Sequence, residues 1–188
     1  MEVPPLSNDS TQAGWLTPTV DDTDYDEALE RNLSRWISAV SGLPGKMMFP
    51  RWQPQEKTRT LPDANANWCA YGVLSVTADD NPAFTNTTDA GTELWRHETL
   101  ECLISFYGPA GQRSSIQFRD GITLNQNNDE LTKLHLSLGD YGRIMAVPEF
   151  LSEQWIRRYD ITVRLRRKII REYGIKSLVE APVQFFGE

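Results

Sequence analysis

The sequence predicts an α+β domain in which helices pack on a mostly antiparallel or mixed β-sheet. Three observations support this fold class. Apolar and polar residues alternate from 159 to 166, which is the period of a strand with one buried face. Residues 22–42 repeat apolar side chains at helical spacing, which predicts a long N-terminal amphipathic helix. The order along the chain is helix, strands, two helices and strands, as in an α+β domain.

Length and composition are those of one globular domain. The chain has 188 residues, 39% of them hydrophobic, and a formal net charge of −7. We expect a flexible N-terminal arm at residues 1–20 and a single domain at residues 21–188. No apolar run reaches the length of a membrane span, and the N-terminus lacks the pattern of a secretory leader. Cys69 and Cys102 are predicted to be buried thiols in a reducing compartment.

The first helix has clear start and stop signals. Asp22 or Thr23 can cap its N-terminus, acidic residues follow in the first turn, and Gly42 with Pro44 ends it. One face carries the apolar side chains that would pack on the sheet: Tyr25, Leu29, Leu33, Trp36, Ile37 and Val40.

Several strands are expected before the second helix. Residues 46–52 form a short extended segment that Pro50 restricts to a sheet edge or a loop, and a polar loop follows at 53–66. Residues 68–77 are apolar on both faces, which favours a central strand. Turn residues at 79–92 predict a mobile connection to a strand at 94–107, so the two strands form a long β-hairpin.

The second half of the chain predicts two helices and three strands. Residues 110–120 form the first of these helices, and Asn127 or Asn128 caps a second one that ends at Gly139. Strands at 141–149 and 155–170 are expected to form a second long hairpin. A last strand at 175–185 lies at an edge, because Pro182 cannot donate a backbone hydrogen bond.

Basic residues gather on the strand at 155–170. Seven of the 19 Lys and Arg residues lie between 157 and 171. Two explanations stay open: the strand faces an acidic surface of another subunit, or it pairs with acidic residues of its own sheet. The candidate interface residues are those predicted on the exposed face of the strand and an apolar pair in the N-terminal arm: Arg158, Arg164, Arg166, Lys168, Trp15 and Leu16.

The sequence contains no pattern that requires catalysis. His97 and His135 are far apart and have no second ligand at metal-binding spacing. The acidic run from Asp21 to Asp26 coincides with a helix start, where acidic residues are expected. There is no nucleophile elbow, phosphate-binding loop or dinucleotide fingerprint, although a catalytic triad of residues distant in sequence stays open. We therefore predict no catalytic, metal-binding or cofactor-binding residues and no cofactor.

An ordered set of short motifs resembles a known family. The motifs are NWCAYG at 67–72, SFYGP at 105–109, RDG at 119–121, NQN at 125–127 and QWIRRYD at 154–160. Together with the opening helix at 28–42, they resemble the neck or tail-terminator proteins of tailed bacteriophages. The resemblance extends in order from about residue 14 to the C-terminus.

The resemblance implies a structural role without enzymatic activity. It implies a fold shared with tail-completion proteins and assembly into a six-fold ring. This ring would lie in the virion neck after synthesis of the chain in the cytoplasm of the bacterial host. The implied partners are other copies of the chain, the tail tube protein and the head-to-tail connector or stopper protein. Genomic DNA would pass through the lumen without specific binding, and no membrane is involved. A net negative chain suits this passage, because Lys and Arg contacts to phosphate create DNA affinity.

Two alternative functions stay open at this point. A head-to-tail connector or stopper protein would share ring assembly and differ in its neighbours. A phage DNA-processing enzyme would use the basic strand to grip phosphate, and it predicts carboxylates clustered near that strand and metal-dependent cleavage.

Overall fold

A mixed sheet organises the fold in a computed structural model that describes residues 9–52, 62–151 and 153–176. Within these residues the main path of the sheet has the order β1-β10-β5-β3-β2. Strand β4 pairs with β5, strands β6 and β7 pair with β10, and β8 and β9 form a separate two-stranded sheet. The strands are β1 (Val20–Asp21), β2 (Met48–Pro50), β3 (Trp68–Ala78), β4 (Ala83–Thr85), β5 (Thr92–Tyr107), β6 (Ser137–Tyr141), β7 (Met145–Ala146), β8 (Glu149–Leu151), β9 (Gln154–Ile156) and β10 (Arg158–Tyr173).

Three α-helices accompany the sheet in the described part of the chain: α1 (Asp26–Ser41), α2 (Gly111–Gly121) and α3 (Asn125–Thr132). The predicted α+β class with a mixed sheet is therefore confirmed. No helix among these residues is long and apolar enough to span a membrane.

The described residues divide into two compact units. Unit 1 contains residues 9–23, 79–97 and 168–176, and unit 2 contains residues 24–52, 62–78, 98–151 and 153–167. Strands β5 and β10 contribute residues to both units. The arm at 1–20 and the single domain at 21–188 stay a prediction.

Strand β10 has the alternation that its sequence predicts. Ile161, Val163 and Leu165 are fully buried in the core of unit 2, and the residues between 164 and 170 at even positions are exposed. The N-terminal end differs from the prediction, because the expected strand at 155–170 is interrupted at Arg157 and its first residues form β9. Asp160 and Ile161 are adjacent and both buried, so the alternation of buried and exposed side chains does not extend to the N-terminal end of β10.

Helix α1 is shorter than the long helix that the sequence predicts. It has 16 residues and begins at Asp26, with Tyr25 rather than Asp22 or Thr23 in the N-cap position. The carboxylate of Asp21 instead accepts a hydrogen bond from the Thr23 backbone N–H, and this local turn competes with helix formation. The predicted end is confirmed, because Gly42 adopts a φ of 74° and its N–H donates to the Ser38 carbonyl.

Several element boundaries in the second half differ from the prediction. Helix α2 lies within one residue of its predicted position, but α3 ends at Thr132 rather than at Gly139. His135 has a φ of 57°, and Ser137–Tyr141 forms β6, which pairs with β10. The second predicted hairpin is replaced by pairing of β6 and β7 with β10 and of β8 with β9. These long-range backbone hydrogen bonds override the local helical pattern.

The first half of the sheet is closer to its prediction. Strand β2 lies at the sheet edge, parallel to β3, as Pro50 requires. Strands β3 and β5 pair antiparallel, with Trp68 opposite Tyr107 and Ala78 opposite Glu98. The connection at 79–92 is not wholly irregular, because it contains β4, which pairs with β5. Part of the predicted loop at 53–66 and most of the predicted strand at 175–185 lie outside the described residues.

Both cysteines are buried free thiols, as the sequence predicts. Burial raises the pKa of Cys102 to about 12, with a further contribution from the Glu101 carboxylate. Burial also raises the pKa of Cys69. Because the thiolate is the reactive form, neither side chain is expected to react with thiol reagents in the folded protein.

Candidate assembly surfaces

A buried ion-pair network surrounds Arg158, one of the candidate interface residues. Its guanidinium donates to both carboxylate oxygens of Asp160 at 2.8 Å, and Asp160 is only 5% exposed. It also donates to Oε2 of Glu149 at 3.1 Å. Burial disfavours the charged guanidinium, but Asp160, Tyr107 and Glu149 outweigh this effect and raise the pKa of Arg158. The structure thus corrects the prediction that Arg158 projects from the exposed face of the strand.

The same network holds strands β8 and β9 in place. Glu149 accepts hydrogen bonds from Arg158 and from the Tyr107 hydroxyl, at 3.1 and 3.0 Å. Its cross-strand partner Ile156 is buried in a small cluster with Trp68, Ala70 and Tyr107. The Trp68 and Tyr107 rings are stacked, with centroids 3.9 Å apart. The pair Glu149 and Ile156 therefore anchors this hairpin, which we call the aromatic flap (β8 and β9).

The next residue pair of the aromatic flap faces solvent. Phe150 lies opposite Trp155, and because successive side chains of a strand alternate, this pair points away from the anchoring pair. Phe150 is 57% exposed and Trp155 is 73% exposed, with ring centroids 5.4 Å apart. Exposed aromatic side chains on an anchored element are typical of protein contacts. The sequence analysis missed this surface, because Trp155 was assigned to the same strand as the basic residues.

Arg164 lies on the exposed face of β10, as predicted, but it is paired within its own sheet. Its guanidinium contacts Glu101 on β5 and Asp140 on β6, each at 3.1 Å. Arg166 is also exposed, and no carboxylate contacts its side chain in the described residues. Lys168 is exposed as well, and its ammonium lies 3.7 Å from the centroid of the Trp95 ring. The candidate basic residues therefore do not form one shared cluster.

Arg167 is a buried residue that the sequence analysis did not single out. It pairs with Glu98 at 2.8 Å, donates to the Asp24 carbonyl at 2.9 Å, and lies 5.2 Å from the Tyr25 ring centroid. Its odd position in the alternating strand was the available signal that its side chain points into the core. The interaction ties the start of α1 to β5 and β10 within unit 2.

The N-terminal arm exposes its aromatic residue. Trp15 is 76% exposed, and Leu16 is half-buried. Arm residues contact the end of β10 through hydrogen bonds such as Ser10 N–H to the Gly174 carbonyl, at 2.7 Å, and through pairing of Val20 with Glu172.

Deleting residues 1–18 is expected to leave the melting temperature within a few degrees of the parent protein. Among the described residues that the deletion removes, 9–18, most side chains are exposed, and exposed contacts contribute little to stability. Differential scanning calorimetry of the two chains measures the difference. A collapse of the melting transition would mean that Trp15 and Leu16 belong to the core. The variant Trp15→Ser removes the aromatic side chain but keeps the backbone pairing of the arm, so it distinguishes the contributions of these two features.

No group of three or more His, Cys, Asp or Glu side chains suited to a metal ion occurs among the described residues. His97 lies within β5, and His135 lies in the turn after α3. The acidic residues expected at the start of α1 are dispersed, because Asp21 pairs with Arg171 and Asp24 accepts a hydrogen bond from Asn32. The carboxylates near β10 instead form ion pairs with its arginines: Asp160 and Glu149 with Arg158, Glu101 and Asp140 with Arg164, and Glu98 with Arg167.

The aromatic flap thus presents an exposed aromatic pair on an anchored hairpin, a surface suited to protein contacts. Comparison with protein families finds a match to the phage neck terminator protein family over residues 27–188. Because this match covers most of the chain, the chain belongs to the phage neck terminator family. The family resemblance predicted from short motifs is therefore confirmed. A comparison with curated proteins found no match.

Proposed function

We propose that the chain assembles into a closed ring, six-fold in symmetry, that terminates the tail tube and joins the tail to the head connector. Membership of the phage neck terminator family is the observation that carries this proposal. The partners are other copies of the chain, the tail tube protein and the connector or stopper protein. The ring is made in the host cytoplasm and remains in the virion neck.

Surface chemistry supports assembly through protein contacts. A ring requires each subunit to present two different surfaces that complement each other. Unit 2 presents the aromatic flap, and the exposed Arg166 offers a charged contact that is not neutralised by a carboxylate of the described residues. Trp15 and Leu16 in the arm are further proposed contacts.

The distribution of charge supports passage of DNA without tight binding. Of the seven basic residues between 157 and 171, four have carboxylate partners within the chain: Arg158, Arg164, Arg167 and Arg171. Phosphate binding depends on available Lys and Arg side chains, and the chain as a whole carries a net charge of −7. The DNA in the lumen would therefore meet a surface with little net attraction.

Cryo-electron microscopy of phage particles tests the proposed position. The expected result is a ring of this chain in contact with the last ring of the tail tube, with DNA passing through its lumen. A ring located only in the connector layer would favour the stopper function. Absence of the chain from the particle would contradict a structural function in the neck.

Reversing Arg166 to Glu is expected to reduce the fraction of heads joined to tails while leaving the circular dichroism of the subunit unchanged. The side chain is exposed and has no carboxylate partner to lose in the described residues, so the reversal acts on assembly rather than folding. The matched control is Arg113→Glu, a reversal of another exposed arginine on α2. Joining counted by electron microscopy that is equal for both variants would remove Arg166 from the proposed interface.

A further inference from the structure

The aromatic flap is built to present its outer pair rigidly. Glu149 is held by two hydrogen bonds and Ile156 by a buried cluster, so the strands that carry Phe150 and Trp155 are anchored on the opposite face. Aromatic side chains presented in this way lose little conformational freedom on binding and often dominate interface energetics. The flap therefore requires a partner surface that is apolar and able to receive two rings.

A second exposed apolar surface lies on the other half of β3. Residues 68–72 are buried, but residues 74–78 are exposed, and Leu74 and Val76 are 55% and 53% exposed. Val76 lies opposite Leu100, which is fully buried, so Val76 is on the core side of the sheet. Leu74 lies in a β-bulge between Val73 and Ser75 and has no cross-strand partner on β5. Strand β2 pairs only with residues 69–71, and no other described strand covers this edge of β3. We call Leu74 and Val76 the β3 ledge.

Acidic residues border the β3 ledge. The Tyr71 hydroxyl of β3 donates to the Glu30 carbonyl at 3.2 Å, and Arg167 links the Asp24 carbonyl to Glu98, which lies opposite Ala78. These contacts place the first turns of α1 alongside residues 71–78 of β3, all within unit 2. Asp26 and Glu27 are exposed on these turns, and Glu30 is half-buried.

The acidic residues beside the ledge repel one another. Burial raises the pKa of Glu30, and the carboxylates of Glu27 and Asp26 raise it further. The Arg31 guanidinium lies 3.9 Å from the Glu27 carboxylate, and both side chains are exposed. A cation from outside the subunit would relieve this repulsion.

The aromatic flap carries such a cation. Arg157 follows β9 directly and is exposed, and its side chain contacts no carboxylate in the part of the chain that the structure describes. Its backbone is fixed, because the Arg157 carbonyl accepts a hydrogen bond from the Gly108 N–H at 3.1 Å. One surface thus combines two aromatic rings with an arginine, and the other combines two aliphatic side chains with carboxylates.

The geometry points to a contact between copies of this chain, in which the aromatic flap of one subunit docks on the β3 ledge of the next. Phe150 and Trp155 cover Leu74 and Val76, and Arg157 faces the acidic first turns of α1. The two surfaces differ, so the contact is heterologous and can repeat around a ring. This inference rests on the proposed ring and names the residues that close it.

Cysteine crosslinking in assembled particles tests the contact. One chain carries both Phe150→Cys and Leu74→Cys, which leaves Trp155 and Val76 to maintain the contact, and purified particles are treated with a short bismaleimide. The native thiols Cys69 and Cys102 are buried and do not compete. The expected result is a covalent ladder of this chain up to the full ring. Chains with either cysteine alone, and a control chain with Trp52→Cys and Leu74→Cys, should remain monomeric.

The outcomes separate this contact from the proposed function. Particles that contain the doubly substituted chain but give no ladder overturn the flap-to-ledge contact and leave the neck function standing. A chain that is absent from wild-type particles contradicts the neck function itself.

A second measurement decides the case in which the doubly substituted chain does not enter particles. A flap-defective chain (Phe150→Ser, Trp155→Ser) is mixed with a ledge-defective chain (Leu74→Ser, Val76→Ser) and followed by sedimentation velocity. Each chain alone should be monomeric, and the mixture should form one-to-one complexes, because only one productive pair of surfaces remains. A mixture that stays monomeric overturns the contact.

Discussion

Replacing Val163 with glutamate is expected to unfold the protein, whereas replacing its neighbour Arg164 with glutamate leaves it folded. Val163 is fully buried in the core of unit 2, where a carboxylate would have neither water nor a cation. The expected loss is about 4 kcal/mol or more, a large part of the roughly 5–15 kcal/mol that stabilises a typical domain. Arg164 is exposed, and its ion pairs with Glu101 and Asp140 lie at the surface, where water screens them.

Urea denaturation followed by circular dichroism compares the two variants. The substitutions are adjacent in β10 and introduce the same side chain, so comparing them distinguishes the buried face of the strand from the exposed face. If Arg164→Glu unfolds the protein and Val163→Glu is tolerated, the register of β10 is shifted by one residue. Ile161→Glu provides a second buried position, two residues away on the same face, and should behave like Val163→Glu.

Replacing Arg158 with methionine is expected to cost about 3–5 kcal/mol of folding free energy. The substitution keeps a long apolar side chain but leaves the buried Asp160 carboxylate without its guanidinium partner. The Ser105 hydroxyl still donates to Asp160 at 2.6 Å, which cannot replace the lost charge. Arg164→Met is the matched control in the same strand, and its expected cost is much smaller, because its ion pairs are exposed to solvent.

A double variant separates the buried charge from packing. In Arg158→Met with Asp160→Asn no unpaired carboxylate remains, so most of the lost stability should return. Chemical denaturation of the single and double variants measures this recovery. A double variant as unstable as Arg158→Met alone would mean that the loss comes from packing of the arginine stem or from release of Glu149, not from the charge of Asp160.

The ion pairs of Arg158 also position the aromatic flap. Glu149 belongs to the flap and is held by Arg158 and Tyr107, so the same ion pairs that stabilise unit 2 also orient Phe150 and Trp155. A loss of Arg158 is therefore expected to affect assembly as well as stability. The sequence predicted that Arg158 itself lies on the exposed interface. In the structure Arg158 instead acts on the assembly surface through Glu149, which belongs to the aromatic flap.

Local patterns in the sequence determined the buried faces of the elements in which apolar side chains recur at a regular strand or helix period. The alternation specified which residues of β10 are buried from Ile161 to Arg166, because a strand places every second side chain on the same face, but it did not predict the burial of Asp160. The helical spacing of Leu29, Leu33, Trp36 and Ile37 likewise specified the buried face of α1. Ordered short motifs identified the phage neck terminator family over most of the chain.

Only the tertiary structure decided which charged residues are neutralised and which aromatic residues are presented. Arg158 and Arg164 both occupy even positions of the strand. Arg158 nevertheless pairs with the buried Asp160, whereas Arg164 pairs with exposed carboxylates on β5 and β6. Trp155 is exposed because Ile156, its neighbour, anchors the flap on the opposite face. The reason is physical: the free energy of a charge or a ring depends on the groups that long-range strand pairing brings around it, and one strand's periodicity carries no information about those groups.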